Sequence, residues 1–186
     1  MLTHYLDIHV QPDPEFPASQ LLPALYAKFH RALVELRSDD LAVCFPGYCD
    51  KGLGQALRIL GTADRLGQLM ALPWLSGMRD HIQVSSPLAV PANADHRQLR
   101  RIQSKSSPTR LRRRQIKRHG LTAKQARERI PDSAAESLKL PFLPVRSAST
   151  GQSFMLFLRL GPPCPHPAAG RFNAYGLSTT ATIPWF

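Results

Sequence analysis

An α+β fold is predicted for this chain of 186 residues: an N-terminal ferredoxin-like domain followed by a small α+β domain with an exposed arginine-rich helix. Three observations carry that expectation. Apolar residues alternate between strand-like and helix-like spacing in the order β-α-β-β-α-β through about residue 90. Strand-like runs return after Pro141. Between the two lies a stripe, residues 96 to 119, with ten Lys or Arg and no Asp or Glu.

Tyr5 to Val10 has a period near two and predicts a first strand, which the prolines at 12, 14 and 17 terminate. Leu21, Leu22, Leu25, Phe29, Leu33 and Leu36 recur at helical spacing and predict a helix from about Ala18 to Leu36. Short apolar runs at Leu41 to Phe45 and Leu57 to Leu60 predict two strands across the turn-rich PGYCDKG. Thr62 is placed to cap a second helix carrying Leu66, Leu69 and Met70, and His81 to Ser85 predicts a fourth strand. These elements make up the first domain, residues 1–90.

From Pro87 to Ser107 the chain turns polar and basic and reads as irregular, with residues 91–107 as the linker between the domains. Pro108 suits the first turn of a helix over 108–119, because its missing amide hydrogen has no partner to lose there. In that helix Arg110, Arg114 and Arg118 form one row and Arg113 and Lys117 a second, with only Leu111 and Ile116 as large apolar residues. So narrow an apolar face predicts exposure. Thr122 and Gln125 form a capping box for the next helix, which Ile130-Pro131 stops, and Ser133 with Glu136 suits a short third one. Strands are expected at Phe142 to Val145, Phe154 to Leu160, Phe172 to Tyr175 and Ile183 to Phe186, completing a second domain over 108–186. The segment 161 to 170, rich in proline, reads as an excursion between strands.

Charge separates along the chain. Residues 1 to 95 sum to −3, the stripe to +10 and residues 120 to 186 to +4, which together make the formal +11. One basic stripe on a near-neutral body predicts directed contact with a polyanion. Nucleic acid leads that reading, ahead of a solvated face, an anionic membrane or an acidic protein. Arg110 to Arg118 holds five arginines and one lysine, and an arginine can fork onto phosphate oxygens or a guanine edge where lysine acts as a point charge. Composition alone leaves DNA and RNA open.

Cys44, Cys49 and Cys164 form no CxxC pair, and an odd count suits a reducing compartment. The first fifteen residues lack the pattern of a signal peptide, and no apolar run approaches the roughly 18 residues that cross a bilayer. A soluble, cytoplasmic protein with no membrane partner is expected. Phosphate-loop, dinucleotide, zinc-helix and calcium-loop motifs are absent. Asp7, Asp39, Asp40 and Asp64 would form a two-metal centre only if distant loops converged. Neither a cofactor nor a metal is expected.

The chain carries HYLDI at 4 to 8, PDPEFP at 12 to 17, KFHRAL at 28 to 33, PWLSGMRDH at 73 to 81, RRIQSKSSP at 100 to 108 and RLRRR at 110 to 114. RIPD at 129 to 132, RSASTGQSF at 146 to 154, YGLS at 175 to 178 and PWF at 184 to 186 follow. In that order and spacing it resembles the CRISPR type I-F pre-crRNA processing endoribonucleases, hairpin-cutting members of the Cas6 group. The resemblance implies metal-independent cutting of repeat RNA at the 3′ base of a stem-loop, with 2′,3′-cyclic phosphate and 5′-hydroxyl ends. It also implies that the crRNA stays bound and that type I-F interference-complex subunits are partners.

By the same resemblance, His30 matches the catalytic histidine, which would take a proton from the attacking 2′-hydroxyl. Ser147 matches the serine that holds the ribose, and Tyr175 a tyrosine whose hydroxyl can orient histidine or substrate. Residues 1–90 then support catalysis, residues 91–107 contact RNA and residues 108–186 recognise it. Arg101 and Gln103 match base-reading linker residues, Arg114 and Arg118 the positions facing the stem and its loop end, and Phe154 an aromatic that stacks beneath the terminal base pair. Arg110, Arg112, Arg113 and Lys117 are expected to neutralise phosphates, Ser149 to contact the backbone, and Arg146 to offset developing charge. From the residues alone, a noncatalytic RNA-hairpin module and a DNA-binding interaction subunit remain the alternatives.

Overall fold

The computed structural model describes residues 1–103, 108–131, 138–146 and 151–186. The chain divides into two compact units. One joins Met1–Arg101 to Leu140–Phe186, and the other is Ile102–Lys139.

In the first unit β1 (His4–Val10), α1 (Ala18–Glu35), β2 (Ala42–Cys44), β3 (Ala56–Gly61), α2 (Ala63–Ala71) and β4 (Ile82–Val84) follow in the expected succession. The strands form a sheet in the order β2-β3-β1-β4, with every pairing antiparallel and β5 (Leu88–Ala89) adding to β1. Both helices pack against β1 and β3. This α+β arrangement is consistent with a ferredoxin-like architecture.

The register of β1 on β3 explains the core. Leu6 opposes Ile59 and Ile8 opposes Leu57, so four apolar side chains share one face. They are fully buried in one cluster with Leu25, Phe29 and Leu33 of α1. Each such side chain contributes roughly 1.5–3 kcal/mol by leaving water. On the opposite face Asp7 pairs with Arg58, whose Nε and Nη2 donate to the carboxylate at 2.7 and 2.8 Å. Arg58 Nη1 donates to the Phe186 oxygen at 2.8 Å, and its guanidinium lies over the rings of Phe186 and Tyr5. Thus β3 is buried on both faces.

Two smaller sheets belong to the rest of the fold. One pairs β6 (Asp95–Arg97) with β10 (Ile183–Trp185), and the other runs β7 (Leu99–Ile102), β9 (Ser153–Leu160), β8 (Phe142–Arg146). The stretch read as irregular therefore contains β5, β6 and β7. Their partners β1, β9 and β10 are distant in sequence, and that pairing leaves no local periodicity to read. Since α1 also packs on β8, the helix bearing His30 touches both the large sheet and the β7-β9-β8 sheet.

The strand expected at Phe172 to Tyr175 is a turn. Asn173 Oδ1 accepts from the amides of Tyr175 and Leu177 at 2.8 and 3.3 Å, and the Asn173 carbonyl accepts from Gly176 N at 2.8 Å. Gly176 has φ +70°, and a Cβ there would meet Phe29 Cε1 at 3.0 Å and Val43 Cγ1 at 3.1 Å. Only glycine combines that conformation with so close an approach to α1 and β2. The aromatic residues of this segment imitate a strand, while the Asn-x-x-Gly backbone chemistry makes it a turn.

The second unit contains α3 (Pro108–His119) and α4 (Ala123–Arg129), which pack together. Gly120 with φ +62° turns the chain between them. The capping box forms as expected: Thr122 Oγ1 accepts from Gln125 N at 3.3 Å and Gln125 Oε1 accepts from Thr122 N at 2.9 Å. The helix expected around Ser133 and Glu136 lies outside the described residues. Among the described residues no helix is long and apolar enough to cross a membrane.

Candidate active site

The apolar stripe of α1 buries Leu22, Leu25, Tyr26, Phe29 and Leu33 and leaves His30 half-buried beside it. His30 Nδ1 lies 2.6 Å from the Ala174 carbonyl oxygen. A carbonyl can only accept, so Nδ1 carries the hydrogen and Nε2 of the neutral ring keeps its lone pair. The imidazole stacks on Tyr175, with centroids 4.2 Å apart and planes inclined by 2°. The Tyr175 hydroxyl is expected to orient His30 or the substrate, and the contact found between Tyr175 and His30 is through the ring face.

The Tyr175 backbone is anchored on both sides. Its carbonyl accepts from the Tyr26 hydroxyl at 2.9 Å and its amide donates to Asn173 Oδ1 at 2.8 Å. Burial pushes the Tyr26 phenol well above its ordinary range, the neighbouring Tyr175 adds to that, and the charge of Arg101 opposes it. Tyr26 thus stays a protonated donor at neutral pH. Neither Tyr26 nor Asn173 is among the sequence-derived candidates. The available signal for Tyr26 was a tyrosine within the apolar row, four residues before His30.

Arg101 and Phe154 join this group. The Arg101 guanidinium carbon lies 5.0 Å from the Phe154 ring centroid and 6.0 Å from that of Tyr175. Ser147 and Ser149 lie outside the described residues. Arg146 Nε donates to the Gly151 carbonyl at 3.1 Å. Asp7, Asp40 and Asp39 each pair with an arginine, Arg58, Arg65 and Arg171, at 2.7, 2.7 and 3.1 Å, and among the described residues no group of three or more His, Cys, Asp or Glu is placed to hold a metal ion.

The remaining candidates belong to the second unit. Gln103 is exposed. On α3, Arg110, Arg113, Arg114, Lys117 and Arg118 are exposed, and no residue of the helix is buried. Arg112 is half-buried and donates Nε to the Ile130 carbonyl at 2.7 Å, closing the end of α4. One face of α3 therefore serves α4 while the rows through Arg114 and Lys117 meet solvent.

A family model described as CRISPR-associated protein (Cas_Csy4) matches residues 5–186. A curated CRISPR-associated endonuclease Cas6/Csy4 of Pseudomonas aeruginosa (strain UCBPP-PA14) is 49% identical over 187 residues, covering 100% of both chains. The protein of the same name in Escherichia coli (strain UTI89 / UPEC) is 44% identical over 185 residues, again covering 100% of both. The chain belongs to the Cas6/Csy4 family. The Cas6/Csy4 match spans both units, and so includes the His30–Tyr175 stack and the cationic rows of α3.

Proposed function

We propose that this protein is a metal-independent endoribonuclease that cuts CRISPR repeat RNA at the 3′ base of a stem-loop and keeps the processed crRNA. Membership of the Cas6/Csy4 family supports RNA endonuclease activity of the Cas6 type and binding of an RNA hairpin. The observation that carries the reading is the placement of His30, whose Nδ1 lies against the Ala174 carbonyl and whose ring stacks on Tyr175, so that Nε2 is the nitrogen not engaged by that contact.

In this mechanism His30 Nε2 removes the proton of the ribose 2′-hydroxyl, and the 2′-oxygen attacks the adjacent phosphorus. The phosphorus–5′-oxygen bond breaks and the leaving 5′-oxygen takes up a proton from solvent, while the His30 imidazolium returns its own to solvent, giving a 2′,3′-cyclic phosphate and a 5′-hydroxyl. The nucleophile is already tethered beside the phosphate, so orientation and proton transfer are what the protein must supply. Ser147 holds the ribose and Tyr175 holds the imidazole. Arg146 offsets the charge that develops on the phosphate oxygens.

Recognition is assigned to the basic stripe, with residues 91–107 as the RNA-contacting stretch. Arg101 and Gln103 read base edges, and Phe154 stacks beneath the terminal base pair. Arg114 and Arg118 face the stem and its loop end. Arg110, Arg112, Arg113 and Lys117 neutralise phosphates, and Ser149 contacts the backbone. Slow release from so many phosphate contacts delivers the crRNA to the type I-F interference complex in the cytoplasm.

Incubation of a cognate type I-F repeat with the protein in EDTA tests this reading. Wild type is expected to cut native RNA, whereas His30→Ala loses about 10²–10⁴ in single-turnover rate. A 2′-deoxy nucleotide at the cut site should abolish cutting while most binding remains. Undiminished cutting after both changes would overturn the mechanism, and tight binding without cutting would leave a recognition module.

A further inference from the structure

The stack at His30 does not end at Tyr175. The Arg101 guanidinium lies over both the Tyr175 and Phe154 rings, at 6.0 and 5.0 Å from their centroids. Its Nε is buried and, among the described residues, has no hydrogen-bond partner. A cation over an aromatic face is drawn to the negative π cloud, and more strongly where water is excluded. The same plane has a second use, because its N–H groups point outward from the edge and can fork onto a base. Edge and face are independent, so an arginine that reads a base can hold a ring as well.

We infer that Arg101 is a positioning residue for the cutting reaction: its cation steadies the Tyr175 ring, and through that ring the imidazole of His30. Tyr175 has its backbone held by Tyr26 and Asn173, but those bonds leave the side-chain torsions free. His30 and Arg101 both rest on the ring, which also packs against the core. A nucleobase that settles on Phe154 and engages the Arg101 edge therefore also changes what rests on Tyr175. Recognition at the base of the stem is thereby coupled to the angle at which Nε2 is presented. The inference rests on His30 acting as the base, as proposed above.

A residue that only reads a base raises the dissociation constant, and saturating RNA restores its rate. A positioning residue lowers the rate at saturation. The test uses the full-length protein with Arg101→Met, which keeps length without charge, and Arg101→Lys, which keeps charge without the fork. Each is made alone and with Tyr175→Ala. Single-turnover rates are measured at saturating repeat hairpin, and the His30 ring C–H resonances are followed by NMR in RNA-free protein, where the Tyr175 ring current displaces them.

Arg101→Met is expected to lower the saturated rate about tenfold, with Arg101→Lys regaining most of it. In the Tyr175→Ala background Arg101→Met should change the rate by less than about twofold, since the intermediary is gone. In free protein the Arg101→Met resonances of His30 should move toward their Tyr175→Ala positions. An unchanged saturated rate with a weakened dissociation constant, or equal losses in both backgrounds, would overturn the inference. So would unmoved His30 resonances. If wild type fails to cut the hairpin, the proposed function falls while the NMR arm still decides the link between Arg101 and His30.

Discussion

His30 owes its geometry to three residues from one short turn and one facing helix position. Ala174 offers the carbonyl, Tyr175 the ring, and Asn173 and Tyr26 hold the Tyr175 backbone in place. Tyr26→Phe removes one hydroxyl and nothing else. It should lower stability by about 1 kcal/mol in denaturant titration, the usual net worth of a hydrogen bond, and reduce the cutting rate by more than it weakens hairpin binding. The cysteines offer a second check at this scale. Burial pushes the Cys44 thiol up to about 12, Arg58 pulls it down and Asp7 pushes it up, whereas Cys49 is exposed. Thiolate is the reactive form, so iodoacetamide at pH 8 should label Cys49 in the native protein and leave Cys44 unlabelled until denaturant is added. The resemblance singles out His30 and Tyr175 in the sequence, but their ring-on-ring contact was not legible there, because it joins residues 145 positions apart.

At the scale of elements, α3 and α4 show how much a local signal can carry. The capping box at Thr122 and Gln125 and the proline at the start of α3 were legible because each involves neighbours within a turn. Thr122→Ala should destabilise α4 by about 1 kcal/mol, seen as amide exchange roughly fivefold faster over residues 123–129. Exposure of the row through Arg114 and Arg118 also followed from the narrow apolar face. Arg114→Ala or Arg118→Ala is expected to weaken hairpin binding by about 1–3 kcal/mol and to leave the rate at saturating RNA nearly unchanged. Unchanged dissociation constants in both variants would reject those roles. The contact of Arg112 with the Ile130 carbonyl could not be read from its position in the basic run, since the two residues are 18 positions apart.

At the scale of the whole molecule, Arg58 ties β1, β3 and the last residue together through Asp7, Phe186 and the Tyr5 ring. The Asp7 and Arg58 side chains are only 15% and 9% exposed, so removing one partner strands the other in a poorly solvated place. Arg58→Ala should therefore lower stability by about 3 kcal/mol in denaturant titration, and Asp7→Ala added to it should lower stability by much less than it does alone. Additive losses would mean that the two side chains do not depend on each other. That residues 140–186 share a unit with residues 1–101 is likewise decided by contacts that no local pattern records.

The sequence by itself determined the βαββαβ succession, the caps of α2 and α4, the cationic stripe and, through its resemblance, the family. Each of these is written in neighbours along the chain or in residue identities at fixed spacing. Only the tertiary structure decided that Phe172 to Tyr175 is a turn, that β5 to β7 are strands, and that Arg101 lies over Tyr175. Their physical causes are long-range: a glycine pressed against Phe29 and Val43, backbone pairing with distant strands, and a guanidinium held between two rings brought together by folding.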